Sequence, residues 1–409
     1  MTERVGDQHA GSVRPRSVGL AFSLTNLILG MLAGLAACTT PTDSPKTSPP
    51  SPAETTSNNP ASAPAAVASV TPTRTAEPAE LRAPGEIAVV VSPWTGEEFG
   101  GGLDGSIIAT PNYRLHSTLR DDSLERILPR YMEAAFDHYR TAIVDLPLPP
   151  EPLKTYIFGS RSEWNRFTEF KLPPREARSM LQLRRGAYTA DAEVVLHDLG
   201  RTDTLFLTAH EGWHQYTQSV FRESLPIWLE EGIATYMEGH RFDSEAGVAV
   251  FMPWRNLERY GELRARARRG GLIPLEELVD RSPQSFLEGG SNRLLTYYAQ
   301  VWALTQFLVH GENGRYRAGL ERLLEDAVDG RVSSRIASVA GRQGRRAMGP
   351  SLGRVVISVY FSPDFELFKE QYEAFLSVLM QRGTGTAIWR GRNPFEGRTE
   401  PSSNGLAAP

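Results

Sequence analysis

Two histidines and a glutamate stand close together in this chain, as His210-Glu211-Gly212-Trp213-His214. On a helix, residues four apart lie one turn apart on the same face, so the two imidazoles can hold one ion between them. Glu211 is rotated away from that pair but can reach the ion's open position. Zinc suits such a set, because it binds imidazole, keeps an open position in catalytic sites and lowers the pKa of water there. A carboxylate alongside can take the proton as the water attacks a carbonyl. The chain has 8 histidines in 409 residues, and a chain of that composition shows this pattern by chance in only about one case in a hundred. A surface helix with two solvated histidines is the competing explanation. Leu205, Phe206 and Leu207 upstream, and Trp213 inside the motif, favour a core helix instead, where histidines need partners. Gly212 counts the other way, since glycine weakens a helix interior by about 1 kcal/mol relative to alanine.

Two histidines make an incomplete site. The single cysteine, Cys38, rules out a cysteine-based cluster, so the remaining ligand must be His, Asp or Glu. A second helix start, Leu225-Pro226-Ile227-Trp228-Leu229-Glu230-Glu231-Gly232-Ile233-Ala234-Thr235-Tyr236, carries adjacent carboxylates. Glu230 and Glu231 both compete for the role, the loser being a solvated charge.

A W-L-x-E-G-x-A helix after HExxH resembles the gluzincins, the thermolysin- and aminopeptidase-like branch of the MA peptidases. In that family the glutamate before the glycine is the third zinc ligand, which the resemblance places at Glu231. The connection from His214 to Glu231 is slightly shorter than in the aminopeptidases of the branch. The resemblance implies one zinc ion on His210, His214 and Glu231, with Glu211 as general base, acting on a peptide or protein substrate. A tyrosine from a later helix donates to the developing oxyanion in aminopeptidase-like relatives, and Tyr298, beside Tyr297, is the candidate here. A packing role for that tyrosine is the alternative. Thr235 and Glu238 could orient a ligand histidine or be purely structural. The exopeptidase signature G-x-M-E-N is absent, which points to an endopeptidase.

Supporting texture is similar to poorly characterised bacterial peptidase MA-like domains over residues 153–379. It includes Thr155-Tyr156-Ile157-Phe158, Ser162-Glu163-Trp164 and Gly186-Ala187-Tyr188. Two other functions stay open: a catalytically inactive peptidase-like binding or scaffold lipoprotein of the cell envelope, and zinc hydrolysis of a non-peptide bond.

The elements that must position these residues form an α+β arrangement, a small mixed sheet followed by a helical body. The resemblance implies a zincin-like metallopeptidase fold. β-branched runs predict strands at 87–91, 106–110 and 153–158, and a hairpin or one bent strand over 187–189 and 193–197. A strand in this last position lines the cleft and pairs with extended substrate in related peptidases, though an internal strand fits equally. Helical spacing covers 122–142, with Pro129 placed to kink or split it. Further helices are expected at 160–170, 203–221, 226–238, 294–308, 319–327 and 365–379.

The N-terminus reads as an export signal. Arg4, Arg14 and Arg16 precede an apolar run that ends Leu35-Ala36-Ala37-Cys38. That tetrad resembles the lipobox of bacterial lipoproteins, which implies removal of 1–37 and lipidation of Cys38. An uncleaved signal anchor is the alternative, the run being long enough to span a bilayer. Either places the bulk of the chain in the cell envelope, outside the cytoplasm and attached to a membrane. Residues 38–84, rich in Pro, Ser, Thr and Ala, cannot bury enough surface to offset their ordering entropy and read as a disordered tether. The peptidase-like domain is expected over 85–382, with a disordered tail at 383–409. The net charge of −4 gives no reason to expect nucleic acid as a partner.

Overall fold

The structure is a computed structural model that describes residues 87–182, 186–243, 248–287, 291–346 and 353–396. The signal segment, Cys38, the tether and residues 397–409 lie outside the described residues. In chain order the elements are β1 (Val90–Trp94), β2 (Gly105–Ala109), β3 (Tyr113–Ser117), α1 (Asp122–Thr141), β4 (Leu153–Phe158), α2 (Arg161–Lys171), α3 (Pro174–Leu181), β5 (Ala187–Ala190) and β6 (Glu193–His197). There follow α4 (Arg201–Val220), α5 (Ile227–Met237), β7 (His240–Asp243), β8 (Val248–Phe251), α6 (Leu257–Ala267), α7 (Leu275–Asp280), α8 (Pro283–Leu287) and α9 (Ser291–His310). The chain closes with α10 (Arg317–Asp329), α11 (Val332–Arg346), α12 (Gly353–Tyr360), α13 (Phe365–Leu379) and α14 (Thr384–Trp389). The architecture is α+β: a six-stranded sheet, then a helical body.

The sheet runs β1-β2-β3-β4-β6-β5. The β3/β4 and β4/β6 pairs are parallel and the rest antiparallel. Ile108, Leu115, Ile157, Val194 and Leu196 join the core that includes α1 and α4 residues, while Tyr156, Phe158, Tyr188 and Val195 join a second core with Trp164, Phe167 and Met180 of α2 and α3. The inner strands are thus buried on both faces, which is why β6 reads as the continuous run Val194-Val195-Leu196.

Strand β1 is offset from the expected 87–91. Val90 and Val91 are 67% and 63% exposed whereas Trp94 is 6% exposed, so packing of the indole sets the register, not the valine run. Pro93 withdraws a donor from this outer strand, as edge strands tolerate. In α1, Asp121 caps the first turn by accepting from the Ser123 and Leu124 amides. Pro129 does not split that helix, which runs unbroken to Thr141.

β5 and β6 join through Asp191 and Ala192, both at positive φ (53° and 58°), the φ signs of a type I′ hairpin turn. Alanine is disfavoured there. The metal-motif helix holds the turn in place: Gln215 Nε2 donates to the Ala192 carbonyl (2.9 Å) and the Ala192 amide donates to Gln218 Oε1 (2.9 Å).

In the helical body α9 is the axis, with every residue from Val301 to Leu308 buried, polar Thr305 and Gln306 included. The expectation of disorder from residue 383 is corrected: α14 forms there because Ile388 and Thr384 find a buried place. Among the described residues no helix is long and apolar enough to cross a membrane.

Candidate metal centre

Helix α4 crosses α1 at Gly212. A Cβ at that position would lie 2.4 Å from the Tyr139 hydroxyl oxygen, and that hydroxyl donates to the Ala209 carbonyl at 2.9 Å. The glycine that weakens the helix therefore admits the tyrosine that fastens it. Helix α5 repeats the device against α9: a Cβ on Gly232 would meet Thr305 Oγ1 at 2.5 Å and the Val301 carbonyl oxygen at 3.0 Å. Both motif glycines mark close helix crossings, and those crossings set where the chemistry-bearing side chains meet.

They meet in one place. His210 Nε2 and His214 Nε2 are 3.3 Å apart, and Glu231 Oε2 lies 3.4 Å from the first and 3.6 Å from the second. All three residues are at most 4% exposed. Of the two adjacent carboxylates, Glu231 joins the histidines and Glu230 does not. Glu230 Oε1 accepts instead from His214 Nδ1 (3.0 Å) and Thr217 Oγ1 (2.8 Å). Glu238, at the C-cap of α5, does the same for His210 Nδ1 (2.7 Å). Thr235 bonds the Gly232 carbonyl of its own helix and orients neither histidine.

The donor set fits a cation. With each Nδ1 turned to a carboxylate oxygen and donating to it, both Nε2 atoms are available as ligands. Two imidazole nitrogens and a carboxylate oxygen then face one another, and Glu231 Oε2 has no well-formed hydrogen bond of its own. The three ligand atoms lie within 4.8 Å of one another. Without a cation, protons must fill that role. Burial opposes a charged His210, but Glu231 and Glu238 override it and raise its pKa to about 8. His214 is raised further by Glu230 and Glu231, against the same burial. The Glu231 carboxyl is held down at about 2 by the two histidines, although burial acts to raise it.

Glu211 is buried beside this group. Its Oε2 accepts from the Thr189 hydroxyl at 2.8 Å, and the same hydroxyl lies 3.0 Å from the Glu211 carbonyl oxygen. Thr189 sits on β5, at the end of the sheet opposite β1 among the described residues. Sequence alone missed it as a site residue; only the hairpin turn and the α4 glutamines bring it there.

Tyr298 packs its ring edge-on to His210, with centroids 6.2 Å apart. Burial first, then the charge of Glu231, hold the phenols of both Tyr297 and Tyr298 well above their usual range, so both stay protonated donors. The Tyr297 hydroxyl is buried without a hydrogen-bond partner. His197, His240 and His310 take no part in the group: His197 packs on Trp164, His240 lies against Tyr131, and His310 stacks on Phe395.

No curated protein and no solved structure matches the chain. Residues 206–324 match a family model described as a protein of unknown function, DUF1570. That stretch runs from the motif helix to α10, and so spans the three converging residues, Glu211, Glu238 and Tyr298, while leaving out the sheet.

Proposed function

We propose that this chain is a zinc-dependent metallopeptidase, an endopeptidase of the gluzincin type, anchored in the cell envelope through lipidated Cys38. The observation that carries the reading is the buried convergence of His210 Nε2, His214 Nε2 and Glu231 Oε2, with each imidazole fixed from behind by a carboxylate. Zinc held there would supply a Lewis acid that acidifies water and polarises a carbonyl.

The chain's own residues supply the rest. Glu211, oriented by the Thr189 hydroxyl, accepts the proton of the attacking water and passes it to the leaving amine. Tyr298 keeps its phenolic proton at neutral pH and is the donor to the developing oxyanion. β5 lies at an end of the sheet, the position where an extended chain can add by backbone hydrogen bonds, but Ala187 to Ala190 are at most 6% exposed, so strand addition beside Glu211 requires that edge to be uncovered first.

A scaffold without activity is the second reading. The near-complete burial of His210, Glu211, Glu231 and Tyr298 favours it, since a scaffold needs no substrate at these groups. Metal content and peptide cleavage separate the two. The peptidase reading expects about one zinc per wild-type chain, loss of zinc in His214→Ala and Glu231→Ala, and retained zinc without cleavage in Glu211→Gln. Zinc binding with no cleavage of any peptide by the wild type would leave the scaffold standing; absence of zinc after reconstitution would remove the metallopeptidase reading.

A further inference from the structure

The carboxylate that fixes His210 is itself held mainly from α6. Glu238 is fully buried and has four donors around it: His210 Nδ1 at 2.7 Å, Asn256 Nδ2 at 2.6 Å, Arg259 Nη2 at 2.9 Å and Arg259 Nε at 3.1 Å. Asn256 is fixed in turn, donating to the Thr235 carbonyl at 3.0 Å and accepting from the Arg259 amide at 3.2 Å. Arg259 is 2% exposed. Its guanidinium carbon lies 5.3 Å from the Tyr298 ring centroid and 5.6 Å from that of Phe206.

Replacing a buried ion pair by well-packed apolar residues of the same volume is often neutral or stabilising, so stability is a weak reason for this one. Direction is a stronger reason. The planar guanidinium presents two donors in a rigid fork that engages both carboxylate oxygens. With both oxygens engaged, Glu238 cannot swing, and Oε1 stays aimed at His210. Support for His214 is weaker: its acceptor Glu230 is partly exposed and, among the described residues, is braced by Thr217 alone.

We propose that Arg259 is a positioning residue of the metal centre: it locks Glu238 so that His210 presents Nε2 toward His214 and Glu231, and its face seats the Tyr298 ring beside His210. This rests on the metal reading given above. Arg259 acts on the metal through Glu238, and α6, outside both motif helices, becomes part of the site.

The test uses the full-length chain, stripped of metal. Zinc affinity is measured by competition with a chromophoric chelator, and cobalt(II) absorption reports coordination geometry. Arg259→Met alone strands a buried carboxylate and can fail to fold. The informative variants are therefore Arg259→Lys and the double variant Glu238→Gln/Arg259→Met, in which no charge is left unpaired; Glu238→Gln, which leaves the Arg259 guanidinium with Glu258 at 4.0 Å, serves as reference once its circular dichroism matches the wild type. Arg259→Lys keeps the charge but loses the fork, and is expected to weaken zinc binding about 10- to 100-fold with altered cobalt bands and wild-type circular dichroism. The double variant is expected to bind within about threefold of Glu238→Gln alone, as residues acting in series require. Wild-type affinity and cobalt spectrum in Arg259→Lys overturn the proposal. So does a double variant more than about threefold weaker than Glu238→Gln. If the metal reading itself is wrong, the wild type also fails to bind, a result distinct from either.

Discussion

Replacing Gly212 by alanine sets two effects of opposite sign against each other. Helix propensity favours alanine by about 1 kcal/mol in a helix interior. The crossing with α1 opposes it, because the added Cβ falls 2.4 Å from the Tyr139 hydroxyl oxygen and 3.2 and 3.3 Å from two ring carbons. An ordinary contact needs about 1 Å more at the oxygen. Tyr139 is buried and its hydroxyl is committed to the Ala209 carbonyl, so it cannot simply rotate into solvent. Either that bond breaks, leaving a buried hydroxyl unsatisfied at about 1–3 kcal/mol, or α4 shifts off α1 with overpacking strain of similar size. After crediting propensity, Gly212→Ala is expected to destabilise by up to about 2 kcal/mol. Tyr139→Phe removes the offending oxygen and leaves contacts that need only a few tenths of an ångström. The double variant should therefore be at least about 1 kcal/mol more stable than the sum of the single effects predicts. Urea unfolding of the four proteins, followed by circular dichroism, measures this coupling. A Gly212→Ala chain as stable as the wild type, with additive double-variant energetics, would falsify the crossing as the reason for the glycine.

Other outcomes follow from the same geometry. Because the His210 pKa is raised from 6.5 to about 8, the stability it confers on metal-free protein is full below pH 6.5 and lost as pH rises through 8. That loss amounts to about 2 kcal/mol, and saturating zinc should abolish this slope in melting temperature. Glu231 works in the opposite sense: its carboxyl stands at about 2, so its contribution is present above pH 4.5 and disappears as pH falls toward 2, and Glu231→Gln should flatten the acid limb of the same melting curve. Ala192→Gly, which relieves a positive φ of 58°, should raise stability by up to about 1 kcal/mol; a drop in the urea midpoint would show that the turn is not strained. Thr189→Val removes the hydroxyl from Glu211 and should lower kcat about 10- to 100-fold with zinc retained, whereas Thr189→Ser should keep most of the activity; equal kcat in Val and Ser variants would deny Thr189 a positioning role.

The parts of the site that sequence could reveal are those set by spacing along one helix. His210 and His214 are a turn apart, and Glu231 stands in a pattern whose glycine has a packing cause. Among residues that act across elements, the sequence offers Glu238 behind a ligand histidine but not Thr189 or Arg259. Thr189 reaches Glu211 only after a two-residue turn and a strand crossing, and Arg259 reaches Glu238 from the far side of the β7–β8 hairpin. The same divide holds for the fold. The long helices and β4 carry strong periodicity and lie close to their expected bounds. β3 was missed, although Tyr113, Leu115 and Ser117 alternate inward, because Arg114 and His116 dilute the strand signal. Helices α3, α6 and α12 are short, and their apolar faces only make sense once a neighbour covers them.

Helix α5 shows why the second motif matters as much as the first. Successive residues on a helix are turned by about 100°, so Glu231 and Glu238, seven apart, lie within about 20° of one face while Glu230 points elsewhere. That single helix then supplies the candidate ligand and the acceptors for both histidines: Glu231 at the ion position, Glu238 behind His210 and Glu230 behind His214. A rotation of α5 by even one residue would move all three carboxylates at once. What prevents it is the contact of Gly232 with Val301 and Thr305 of α9, where no side chain fits. The glycine next to the ligand is thus a fixed point for the whole group, and α9, which also carries Tyr298, is the surface against which it is fixed. Glu231, the acceptors Glu230 and Glu238 and the candidate oxyanion donor are thus referenced to one helix contact, while His210 and His214 are set by the α4–α1 crossing at Gly212, so the short W-L-E-E-G pattern marks the α5 half of a candidate site assembled from α4, α5, α6 and α9.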